Sequence, residues 1–86
     1  MSDSDTVYLT GFISVLRKRD VVELREFLKQ EAALRDPARV AEIESMPDED
    51  LETRMYKMIL ARPELRDLHP DARRWLRDHG KDVRFG

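Results

Sequence analysis

The chain contains no cysteine. Disulfide frameworks, thiolate nucleophiles and cysteine-based zinc sites are therefore all excluded. It has no asparagine and a single glutamine, Gln30, so the amide side chains that a DNA-reading helix would want are almost missing. Glycine and proline are sparse, at three and four residues in 86, and most of them fall at the ends of segments. There is no glycine-rich phosphate loop. No apolar run approaches the roughly 20 residues of a membrane span. The opening MSDSDT is acidic and polar where a secretory leader would be positively charged. These absences lead to the expectation of a cytoplasmic protein without a membrane partner.

Apolar residues make up 41% and charged residues 40%, too apolar for disorder and suited to a helical core with a heavily solvated outside. A chain of this size removes about two thirds of its surface on folding. That allows one modest core and leaves little to stabilise a deep catalytic cavity. The expected organisation is one all-α domain over 1–86, a bundle of four to five short helices, with 1–5 and 81–86 as flexible tails. The net charge of −2 gives no overall attraction to a polyanion, although a local patch could still bind one. Twelve of the sixteen basic residues are arginine, which suits phosphate and carboxylate recognition. A compositional bias of the genome explains the same excess.

Five segments carry helical punctuation. DTVYLTGFISVLRKR has Asp5 or Thr6 as N-cap and ends in Arg17, Lys18 and Arg19, where positive charge suits the dipole. Leu9, Phe12, Ile13 and Leu16 recur at helical spacing, although Val7, Tyr8, Phe12, Ile13 and Val15 also favour strand and Gly11 lies mid-segment, so residues 6–17 are read as helix with strand as the alternative. DVVELREFLKQEAALR opens with an acidic capping box, Asp20 to Glu23, and sets Leu24, Phe27, Leu28 and Leu34 on one stripe. PARVAEIES follows, capped by Asp36 with Pro37 at the first helical position and Val40 and Ile43 inward. MPDEDLETRMYKMILAR carries a Ser45 to Asp48 capping signal and stops before Pro63. PELRDL is long enough for one helical turn, anchored by Leu65 and Leu68. In the tail, Val83 and Phe85 are able to fold back onto the body.

The fifth segment, within LHPDARRWLRDHG, holds both histidines and the only tryptophan. Pro70 at its start and Gly80 just past its end define a helix of about ten residues. His69 and His79 then lie roughly 15 Å apart along the axis, too far to share a metal ion. Ala72, Trp75, Leu76 and His79 share one face. His79 therefore packs beside Trp75 near the helix C-terminus, or else acts as a pH-responsive contact. Trp75 is a core anchor, or an interface anchor if this chain leaves it uncovered. Arg73, Arg74 and Arg77 face the other way, bordered by Asp71 and Asp78. They form either a grip for an anion or acidic partner, or a solvated face with Asp71–Arg74 and Arg74–Asp78 pairs.

The fourth segment is unusually apolar. Leu51, Met55, Met58 and Ile59 form the expected stripe, and Tyr56 and Leu60 widen it to about 200°, twice what a surface helix needs. It is either the central helix of a small bundle or a helix that meets a second chain. The first segment also has more apolar surface than one face holds. Tyr8, Phe12, Leu16, Met55, Tyr56, Ile59 and Leu60 are the candidate interface residues, and a homo-oligomer or a protein partner is the expectation.

No nucleophile with a base, no metal-ligand spacing and no paired carboxylates in a cavity can be assembled from the sequence. PDEDLE lacks the glycine and ligand alternation of a calcium loop, and acidic residues belong in a first helical turn. The expectation is a non-enzymatic interaction or regulatory module with no metal and no cofactor. The alternative is a small nucleic-acid-binding protein using Arg73, Arg74 and Arg77.

Overall fold

The computed structural model describes residues 3–83, with side chains from residue 10 onward. It is all α: α1 (Asp3–Lys18), α2 (Val21–Arg35), α3 (Ala38–Ser45), α4 (Asp48–Leu60), a 3-10 helix (Pro63–Leu68) and α5 (His69–Asp78), with no strand among the described residues. The chain divides between Met46 and Pro47 into two compact units.

In the first unit α1 packs on α2, and α2 packs on α3. The strand-forming residues of α1 are helical because the 3.6-residue spacing of Phe12, Val15 and Leu16, all buried, gives them one common face. The helix begins at Asp3 rather than at Asp5 or Thr6, so part of the expected N-terminal tail is ordered helix. Gly11 lies where α1 comes close to α2. A Cβ there would meet Phe27 Cε2 at 3.6 Å, an ordinary contact, and the neighbouring Phe12 ring stacks on Phe27 at 5.8 Å. Gly11→Ala is therefore expected to stabilise the protein by about 0.5–1 kcal/mol through helix propensity. A rise of several degrees in the melting midpoint by circular dichroism would match this, whereas a fall would mean the interhelical contact has no room for a methyl group.

The α1–α2 turn is made by Arg19 in the left-handed region (φ 56°), with its N–H donating to Leu16 O at 3.1 Å. Asp20 then caps α2 as its sequence indicates, accepting from Val22 N (3.0 Å) and Glu23 N (3.3 Å). Glu23 pairs with Lys18 across the same turn at 3.0 Å.

Three local expectations are corrected. Leu34 is 88% exposed: the buried row runs from Leu24 to Ala32, and at about 100° per residue Leu34 lies roughly 160° around the helix from Ala32. Asp36 is the C-cap of α2, its N–H donating to Ala32 O, and α3 starts at Ala38 behind Pro37 with no side-chain cap. Ser45 does not cap α4. Its hydroxyl donates back to Ala41 O and Glu42 O, and extended Pro47 precedes Asp48 at the start of α4.

The α2–α3 pair is latched by α2 side chains. Arg25 Nη1 donates to Ile43 O (2.7 Å) and Glu44 O (3.2 Å), two carbonyls in the last turn of α3; Ile43 O also accepts from Met46 N (3.3 Å). Lys29 sits between Glu44 (2.6 Å) and Glu26 (3.4 Å). The hydrogen bond from Lys29, followed by its charge, holds the Glu44 carboxyl below its ordinary value. The same bond raises the Lys29 ammonium above its own. A lowered acid contributes stability above its unfolded pKa and loses it as pH falls through the folded value; a raised base loses it as pH climbs through its folded value. The stability difference between wild type and Glu44→Gln is thus expected at neutral pH and should fade at both extremes. Paired urea titrations across pH test this, and a difference that persists in acid would remove Lys29–Glu44 as its cause.

In the second unit α4 packs on both α5 and the 3-10 helix. It is the central helix of this unit, which accounts for its wide apolar arc. Leu51, Met55, Ile59 and Leu60 are buried, together with Leu65, Ala72 and Leu76. The end of α5 is set by Gly80 in the left-handed region (φ 69°). Gly80 N donates to Arg77 O (3.1 Å) and Lys81 N to Leu76 O (2.8 Å), the paired bonds of a Schellman stop. Lys81, expected in a loose tail, is held by that bond and by its pair with Glu49 at 3.3 Å. Asp82 and Val83 follow without regular structure, Asp82 exposed and Val83 half-buried, and residues 1–2 and 84–86, Phe85 among them, lie outside the described residues.

Candidate functional site

Most of the candidate interface residues fill the interior. Phe12, Leu16, Met55, Ile59 and Leu60 are buried, so the apolar arcs of α1 and α4 do not by themselves require a second chain. The side chain of Tyr8 lies outside the described residues. Tyr56 is different: it is half-buried and reaches the surface beside α5.

There it begins a stack of three rings. Tyr56 meets Trp75 at a centroid distance of 5.0 Å and a tilt of 31°. Trp75 meets His79 at 3.9 Å and 18°. The i, i+4 spacing on α5 places His79 over Trp75 as the sequence indicates. The Trp75 carbonyl fixes the imidazole by accepting from both His79 Nδ1 (2.8 Å) and His79 N (3.1 Å). Trp75 is half-buried and His79 exposed, so the stack is held on its inner side and open on its outer side.

Next to the rings, Tyr56, Asp71, Arg74, Trp75 and Asp78 line an open depression of about 350 Å³. Of the three arginines only Arg74 lines this depression; Arg73 and Arg77 lie outside it. Among the described residues none of Arg73, Arg74 and Arg77 takes part in an ion pair, and neither does Asp78. The expected Asp71–Arg74 and Arg74–Asp78 pairs are not formed. What α5 presents is an Asp–Arg–Asp row beside an aromatic edge.

His69 carries a role that the sequence did not show. Its Nε2 lies 2.8 Å from Ile59 O and 3.0 Å from Arg62 O, so this nitrogen carries the hydrogen and donates to both carbonyls. The first residue of α5 thereby closes the last turn of α4. With a carbonyl pair as its partner, His69 belongs to the scaffold that positions Tyr56 against Trp75.

No group of three or more histidine or carboxylate side chains able to hold a metal occurs among the described residues. No helix among them is long and apolar enough to cross a membrane. Comparison of the chain with protein-family models, with curated proteins and with solved structures found no match.

Proposed function

We propose that this chain is a non-enzymatic helical interaction module that associates with a second copy of itself. The surface it uses is the edge of the second unit formed by Tyr56, Trp75 and Arg74, rather than the apolar faces of α1 and α4. The supporting observation is the half-exposed Tyr56–Trp75–His79 stack beside an arginine that has no ion-pair partner among the described residues. Aromatic rings and guanidinium groups supply much of the binding energy at protein interfaces, and the rings lose little conformational freedom there. The alternation of charge favours a protein surface over a polyanion, because Asp71 and Asp78 flank Arg74 and would repel successive phosphates.

The test is molar mass by light scattering behind size exclusion at two concentrations tenfold apart, combined with emission from Trp75, the only tryptophan. The expected result is a dimer at the higher concentration with emission shifted to the blue as the indole loses water. A monomer at both concentrations overturns the reading. A dimer with unchanged emission moves the interface away from Trp75 and overturns the assigned surface.

A further inference from the structure

Arg74 and Asp78 are both exposed, and among the described residues both lack an ion-pair partner. They stand four positions apart on α5, about 6 Å along the axis and about 40° around it. They could pair with each other and do not. Each therefore presents a charge without an ion-pair partner on the same strip of surface, next to the aromatic edge of Trp75.

We infer that two copies meet through antiparallel α5 helices, with Arg74 of each chain facing the partner's Asp78; this rests on the self-association proposed above. A two-fold axis perpendicular to the helices at the level of Leu76 brings each Arg74 opposite the partner's Asp78. Both pairs form at once, as an isologous interface requires. A parallel arrangement in register sets Arg74 against the partner's Arg74 and is repelled. Among antiparallel registers, those centred on Arg74 or on Asp78 juxtapose like charges in the same way. Only the register between them matches both charges. The Tyr56 and Trp75 rings border the strip and supply apolar area to cover, while the charges fix direction and register.

The experiment uses the full chain in three forms: wild type, Arg74→Asp and Asp78→Arg. Circular dichroism confirms that each variant keeps its helix content. At a concentration where wild type is a dimer, each variant alone is expected to run as a monomer, because its own copies place like charges together. An equimolar mixture of the two variants is expected to recover the dimer mass, since opposite charges then meet at both positions. Variants that stay dimeric, or a mixture that stays monomeric, overturn this pairing and leave self-association standing. A monomeric wild type overturns both. If Arg74→Asp does not fold, Arg74→Gln takes its place, with association expected to weaken roughly 2- to 30-fold for the loss of two exposed pairs; unchanged association overturns the pairing.

Discussion

Leu76→Ala is expected to lower the stability of the chain by about 2–5 kcal/mol. Leu76 is fully buried and lies one turn beyond buried Ala72 on the face of α5 that packs on α4. Ala72 has only a methyl group, so Leu76 is the one large, fully buried side chain that α5 contributes. Truncation removes the transfer energy of its side chain and leaves a cavity that the flanking rings cannot fill, because Trp75 is held between Tyr56 and His79. A small domain is stable by only about 5–15 kcal/mol, so the loss takes a large share. Urea unfolding followed by circular dichroism should show a lower midpoint. A loss below about 1 kcal/mol would mean that α5 is not docked through this residue, and that the aromatic site has no fixed base.

The second large effect is expected at His69. Replacement by alanine leaves the carbonyls of Ile59 and Arg62 without the Nε2 donor. Leaving part-buried acceptors under-satisfied costs about 1–3 kcal/mol. Ile59 O keeps one bond from Arg62 N (3.0 Å) and Arg62 O keeps one from Leu65 N (3.0 Å), which places the expected loss toward the lower half of that range. The loss should also be local. Amide exchange is expected to speed up at Arg62 and Leu65, across the junction between α4 and the 3-10 helix, before it does so in α2 or α3. Uniform acceleration throughout the chain would argue against a clasp confined to this junction.

The features legible in the sequence are those whose cause lies within a turn of chain. The Asp20 cap was visible because its acceptor and both donors fall within four residues. The stop at Gly80 was visible because a left-handed residue after a helix favours glycine. The stacking of His79 on Trp75 followed from i, i+4 geometry alone. Where the same local chemistry serves two helices, sequence could not choose between them. Ser45 can close α3 or open α4, and Pro47 behind it leaves the hydroxyl to the earlier helix. Asp36 stands between helices in the same way.

The amino-acid sequence by itself determined that most of this protein is helical, where the helices after the first begin and end to within a few residues, and that α4 has a wide apolar arc; between helix and strand for residues 6–17 it did not decide. Only the tertiary structure decided that most of that arc is covered within the chain, and that Tyr56 meets Trp75. It alone also assigned His69 and Arg25 to backbone carbonyls of other segments. The reason is that every residue carries the same carbonyl. A donor's partner is therefore chosen not by the identity of a distant side chain but by which helix end docking brings within 3 Å, and no pattern of residue types records that choice.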